Sequence, residues 1–241
     1  MKQQLYILLI LLSYNLSAQS FNLKEYYFPY ADFFEPQIYQ YTEKGDDEET
    51  QYWYMQTKII NSDTILSTKV YDEDFALVEV SQEKVHPEGM TIIKYNLSLA
   101  GSMTISKILH KDVFKWTLNP NDKIKWSALY DSPYGKESIR KQRELISTKP
   151  HLQSFDKKEY QAIEFKDSYR HSVRTSNGAR TYDFHQKSYY GKGIGLLNYK
   201  RSFPKDGSSY EYYLSKTFTK EAWEKFRKKA KHYKGGGIKK T

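Results

Sequence analysis

The chain contains no cysteine, which excludes disulfides, zinc–thiolate sites, a thiol nucleophile and a cysteine-linked lipid anchor. It has little glycine and proline, 12 and 7 residues in 241, which excludes collagen-like and low-complexity architectures. Long apolar runs are missing as well. The amino-terminal run from Leu5 to Leu12 reaches only about 12 Å into a hydrocarbon core about 30 Å thick. With Lys2 before it and Leu16-Ser17-Ala18 after it, it reads as a secretory signal peptide over residues 1–18, cut after Ala18. An exported protein without disulfides is held by its core, and residues 19–218 read as one domain.

No His pair has the i, i+4 spacing of a helical metal site, and no G-x-S-x-G occurs, so neither a metal nor a nucleophile elbow is expected. The expectation is a non-enzymatic protein with no cofactor and no metal.

Aromatic residues are abundant, 16% of the chain, with 23 tyrosines. Such residues fit a half-buried pleated surface, whose outer face leaves the phenol wet. The formal net charge is +9, but it is concentrated at one end. Residues 220–241 hold nine Lys and Arg against two Glu, a net of +7. The body is close to neutral, so no nucleic-acid partner is expected.

From Gln37 onward the sequence alternates apolar and polar residues in short segments divided by turn signals, the pattern of an antiparallel sheet. KIKWSALY places Ile124, Trp126, Ala128 and Tyr130 on one face. KESIRKQRELIS fits a polar strand or a short helix, and strand is the preferred reading. Residues 21–36, with Pro29 and Pro36, are expected to be extended but outside any central strand. Asp46-Asp47-Glu48-Glu49 lacks the ligand pattern of a calcium loop and suits a hairpin tip.

Asn177-Gly178 within YRHSVRTSNGARTYDFHQ is the dipeptide preferred by a two-residue hairpin turn. Pairing outward from it sets Val173 opposite Tyr182, His171 opposite Phe184 and Arg170 opposite His185. One face then carries Tyr169, His171, Val173, Tyr182 and Phe184. The other carries Arg170, Ser172, Arg174, Thr181, Asp183 and His185.

Thr219 is positioned to cap a basic amphipathic helix over 219–234, in which Ala222, Trp223, Phe226, Ala230 and Tyr233 recur at helical spacing. A flexible tail, 235–241, is expected after it. The preferred reading packs the apolar stripe of the helix on the sheet. The other lays it on an anionic membrane surface or an envelope protein through Lys225, Arg227, Lys228, Lys229 and Lys231.

The segment YYGKGIGLLNYKRSF looks at first like a phosphate loop. A dinucleotide fingerprint requires glycine where Leu196 stands, and a Walker loop requires Ser or Thr where Gly193 follows Lys192. Glycines at 191, 193 and 195 instead suit an extended chain with one bare face, where another backbone approaches or the sheet bends.

YYGKGIGLLNY, with the later Asp206-Gly207 and YEYYL and the early YYFP, resembles the closing and opening segments of exported β-rich proteins common in the Bacteroidetes. It departs from them at Gly191, where they often have alanine. The resemblance implies a strongly bent, half-barrel-like antiparallel sheet, similar to that of LolA-type lipoprotein carriers, with a helix packed against or beside it. It carries no catalytic residues.

The expected fold is therefore mainly β, a strongly curved antiparallel sheet with a carboxy-terminal amphipathic helix. The expected function is an exported periplasmic or envelope protein, not a lipoprotein. It would bind an apolar small molecule, a lipid or a protein partner in the concave face, with Trp126, Tyr130, His171, Tyr182 and Phe184 as lining. The alternatives are an envelope-polymer hydrolase using His171 or His185, and a structural surface protein acting through its basic tail.

Overall fold

In the computed structural model, residues 21–45, 49–99, 101–133, 135–176 and 178–235 are described, the side chains of 231–235 excepted. The expected signal peptide, Asp46-Asp47-Glu48, Asn177, the side chain of Lys231 and residues 236–241 lie outside them.

Fourteen strands form among the described residues: β1 (Gln37–Glu43), β2 (Thr50–Ile60), β3 (Asp63–Tyr71), β4 (Leu77–His86), β5 (Gly89–Leu99), β6 (Ser102–Met103), β7 (Ser106–Lys115), β8 (Lys123–Ser132), β9 (Gly135–Leu145), β10 (His151–Phe155), β11 (Lys158–Thr175), β12 (Gly178–Gly191), β13 (Gly195–Ser202) and β14 (Ser209–Thr219). The ambiguous KESIRKQRELIS segment forms β9. Every pairing is antiparallel, and all but three join consecutive strands. The curvature expected from the sequence continues to closure. β14 pairs with β1, and β9 pairs with β11 from Leu145↔Phe165 to Lys136↔Arg174. Twelve strands make the ring, while β6 and β10 pair along its edges.

A barrel of about eight strands is filled by its own side chains, and a wider one needs further filling. Residues 21–36 provide it. They form two 3-10 turns, Lys24–Tyr26 and Tyr30–Asp32, that close one end as a plug. Leu23, Tyr26, Tyr27, Phe28 and Phe33 are buried in the main core. The plug is tied to the wall around its circumference. Leu23 N–H donates to the Trp116 carbonyl at 2.8 Å, Thr57 N–H to that of Phe33 at 2.7 Å, and Gly193 N–H to that of Glu25 at 2.7 Å.

The glycine-rich segment serves this plug. It is a hairpin turn joining β12 to β13, with Gly191 paired to Gly195. The extended strand with all glycines on one face is therefore corrected, because the chain reverses at 192–194. The bare face is approached closely, but by a side chain and not by the other backbone expected. A Cβ on Gly195 would lie 2.5 Å from the Phe28 ring. A Cβ on Gly191 would lie 2.6 Å from Leu197 Cδ1 and 2.9 Å from Ile194 Cγ2, both side chains being buried.

The β11–β12 hairpin keeps the expected faces but not the expected pairs. His171 pairs with Tyr182, Tyr169 with Phe184 and Arg170 with Asp183. Thr175 pairs with Gly178, so the link is residues 176–177, one position earlier than Asn177-Gly178 suggests. Gly178 has φ +127° and flanks the turn. The resulting two-residue offset in pairing partners preserves the side-chain period, so each face retains its set.

Tyrosine contributes more to the interior than its polarity suggests. Tyr39 and Tyr41 of β1 are buried, and their hydroxyls donate to the carbonyls of Ile194 and Leu196 at 3.1 and 2.8 Å. A buried phenol with a partner is a large apolar body that costs no lost hydrogen bond.

Helix α1 (Lys220–Gly235) packs on the outer wall. Trp223 is buried with Ile38, Tyr52, Phe75 and Phe218, and Phe226 and Ala230 extend the contact. Thr219 Oγ1 accepts from Ala222 N–H at 3.3 Å, the expected cap. Thr219→Ala is expected to lower stability by about 1 kcal/mol. Urea denaturation with an unchanged m-value would verify it.

Candidate functional site: a polar belt in the barrel lumen

Inward positions of a closed sheet are normally apolar, yet four neighbouring strands of this barrel present a row of polar groups to the lumen. Arg143 of β9 pairs with Asp167 of β11, Asp167 with Gln186 of β12, and Gln186 with Arg201 of β13. Strand alternation puts all four on the same side. Arg143 Nε and Nη2 donate to the two oxygens of Asp167 at 2.8 and 2.9 Å, and Nη2 also donates to Tyr190 Oη at 3.0 Å. Ser188 donates to Asp167 at 3.3 Å, Gln186 Nε2 to Ser188 at 2.9 Å, and Arg201 to Gln186 Oε1 at 3.0 and 3.3 Å. Lys141 Nζ adds a second cation at 3.1 Å from Asp167.

Asp167 is fully buried. Burial alone would raise its carboxyl pKa, but Arg143 and Lys141 outweigh that and hold it below the usual range. For Lys141, burial and the adjacent Arg143 push the ammonium pKa down against the opposing pull of Asp167. The guanidinium of Arg143 lies 5.0 Å from the ring centroids of both Phe165 and Tyr190. That of Arg201 lies 5.0 Å from Phe184 and 5.7 Å from Tyr199. Aromatic faces supply partial compensation for a desolvated cation.

The opposite wall is acidic. β4 lies six strands from β12 in either direction around the ring, and it presents Glu79, Ser81 and Glu83 to the lumen. Glu79 accepts from Tyr95 Oη at 3.1 Å, and Glu83 accepts from Tyr27 Oη of the plug. Burial raises both carboxyl pKa values, with the tyrosine hydroxyls and the facing cations offsetting part of the rise. Among the described residues, neither glutamate is within ion-pair distance of Lys141, Arg143 or Arg201.

Between the two walls is a cavity of about 350 Å³, room for on the order of a dozen water molecules. Trp53, Trp126, Tyr169, Phe184 and Tyr199 also line it. The indole N–H of Trp53 is shielded and has no acceptor among the described residues.

No protein-family model matches the chain, and no curated protein matches it. Two solved structures share its fold. One is a "putative exported protein with YmcC-like fold" from Bacteroides fragilis, at TM-score 0.53 and 10% identity over 80% of this chain and 99% of that one. The other is a "putative lipoprotein" from Parabacteroides distasonis, at TM-score 0.51 and 10% identity over 77% and 98%. At that identity the likeness is one of fold. It agrees with the resemblance to exported β-rich Bacteroidetes proteins, and neither neighbour is described as LolA-like.

Of the residues expected to line a ligand site, Trp126 and Phe184 face this cavity. Tyr130 and His171 form a separate cluster, with His171 Nε2 2.6 Å from Glu137 Oε2 and 3.1 Å from Tyr130 Oη. Tyr182, with its ring centroid 6.2 Å from that of His171, is 44% exposed. Among the described residues, the ring nitrogens of His171 meet only Glu137 and Tyr130, and no serine or threonine hydroxyl is placed for attack. His185 is within 3.4 Å of Ser168 on the exposed face. On α1, Lys225 and Lys228 are exposed, as is Lys229, and Arg227 is half-buried. The apolar stripe is occupied by the barrel wall.

Glu79, Glu83, Lys141, Arg143, Asp167 and Arg201 were not singled out by sequence reasoning. A signal existed for four of them. Asp167 continues the face begun by Ile163 and Phe165, Lys141 and Arg143 share a face with Ile139 and Leu145, and Arg201 shares one with Leu197, Tyr199 and Phe203, so each is a charge on an apolar face. In LVEVSQE the valines point to the opposite conclusion, because it is Glu79, Ser81 and Glu83 that face inward.

Proposed function

We propose that the protein is an exported, non-enzymatic envelope protein that holds a small ligand in the lumen of its barrel. The observation that carries this reading is the unfilled cavity between two charged walls. A purely structural barrel would gain from filling such a space with apolar side chains, since unpaired polar groups in a low-dielectric interior are costly. The volume falls at the lower end of small-molecule sites, and the mixture of aromatic faces with a few placed polar groups is typical of them. Export rests on the amino-terminal sequence and is supported by the two fold neighbours, one described as an exported protein and the other as a lipoprotein. The chain offers no cysteine for a lipid anchor. The resemblance of the glycine-rich segment to exported β-rich Bacteroidetes proteins is in keeping with an envelope location.

Native mass spectrometry of protein purified without organic solvent, before and after solvent extraction, tests the reading. A bound mass that extraction removes is expected, together with a lower Tm for the extracted protein, because a ligand that binds only the folded state stabilises it. A single mass equal to the bare mature chain, with no change in Tm after extraction, would overturn it.

A further inference from the structure

We propose that the ligand of the lumen carries an anionic group, a carboxylate or a phosphate, seated between Lys141 and Arg201 at the ring of Tyr169, with its body against the aromatic wall. This rests on the lumen-binding reading above. The two cations share that ring, with Lys141 Nζ 5.0 Å and Arg201 Cζ 5.8 Å from its centroid.

The charges of the belt do not balance. Arg143, Lys141 and Arg201 are three cations, and Asp167 is the one carboxylate in ion-pair contact with any of them among the described residues. Asp167 is committed to Arg143 by a bidentate bond, and Lys141 takes a single contact from the same carboxylate. Arg201 has a neutral partner, Gln186 Oε1, which engages Nε and Nη2, and among the described residues Nη1 has no partner. A guanidinium and an ammonium lining one cavity supply the donors that bind carboxylate and phosphate. Tyr199 and Phe184 beside them fit an apolar or ring-shaped body.

The facing carboxyls couple this site to pH. Glu79 faces Tyr95, Arg201, Lys141 and Glu83, while Glu83 faces Tyr27, Arg143 and Lys141. Their pKa values already lie above the ordinary carboxylate range, and an added anion favours their protonated forms further. At pH values where the ligand itself stays ionised, affinity is therefore expected to fall as pH rises through the titration of these two groups.

Full-length mature protein, solvent-extracted, is titrated with decanoate, decyl phosphate, glucuronate and inorganic phosphate, and with the neutral analogues decanol and glucose. Calorimetry and the fluorescence of the lumen tryptophans Trp53 and Trp126 give the affinities. At least one anion is expected to bind about tenfold or more tightly than its neutral analogue. The decyl arms against the glucuronate and phosphate arms distinguish an acyl source of the anion from a sugar or free ion. Arg201→Gln should weaken the anion about tenfold or more, Arg201→Lys should retain most of the affinity, and Glu79→Gln should flatten the pH dependence. Neutral analogues binding as tightly as the anions, or alone, would overturn the anionic assignment and leave the lumen-binding reading standing. So would an unchanged affinity in Arg201→Gln. Failure of every probe overturns the anionic assignment, and lumen binding falls with it when extraction also removes no mass.

Discussion

Replacing Asp167 with asparagine is expected to destabilise the barrel by about 3–5 kcal/mol, the usual consequence of removing one partner from a buried ion pair. The carboxylate accepts from Arg143, Lys141 and Ser188. Its loss leaves two cations in the lumen wall without a counter-charge. An asparagine also turns an NH₂ group toward at least one of those donors. The pH dependence provides a second, independent readout. The pKa of Asp167 is lower in the folded than in the unfolded state, so the unfolded chain binds more protons in the acidic range. The stabilisation is complete above the unfolded value of about 3.9 and is lost as pH falls through the folded value. Urea midpoints at several pH values should thus decline in acid more steeply for the wild type than for Asp167→Asn. A loss below about 1 kcal/mol, or identical acid limbs, would show that Arg143 and Lys141 are solvated by other means.

Gly195→Ala is expected to cost about 2–5 kcal/mol, combining a left-handed backbone of about 1–2 kcal/mol with overpacking of about 1–3 kcal/mol. Gly195 has φ +86°, and its added Cβ would lie 2.5 Å from Phe28. Phe28 is buried in the plug, edge-on to Tyr39 and Tyr190, and has little room to move. The expected result is a lower Tm together with faster proteolysis within residues 21–36. Gly193→Ala makes the comparison sharp, since Gly193 has φ +75° and open space around its Cα. It bears only the backbone cost and should leave the plug protected. Equal losses in the two variants, or a protected plug in Gly195→Ala, would remove the plug contact as the reason for glycine at 195.

The aromatic content and the alternation that place Ile124, Trp126, Ala128 and Tyr130 on one face were legible because the strand period is local and register-independent. The faces of the β11–β12 hairpin were legible for the same reason, even though their pairing partners were displaced by two. The glycine-rich segment was recognisable as architectural, not nucleotide-binding, from the failed spacing at Leu196 and Gly193. That it is a hairpin turn supporting Phe28 was not, because the contact joins positions more than 160 residues apart and depends on where the amino-terminal segment docks.

The sequence by itself determined a cysteine-free, antiparallel β protein with a basic helix whose apolar stripe needs a surface. These follow from composition and from periods of 2 and 3.6 residues, which are properties of neighbouring positions. Only the tertiary structure decided that the sheet closes, that residues 21–36 fill one end, and that Arg143, Asp167, Gln186 and Arg201 form one row facing Glu79 and Glu83. Closure depends on the register of β9 against β11, and the belt depends on every register between β9 and β13. A charge on an apolar face acquires its meaning only when the partner across the strand is known.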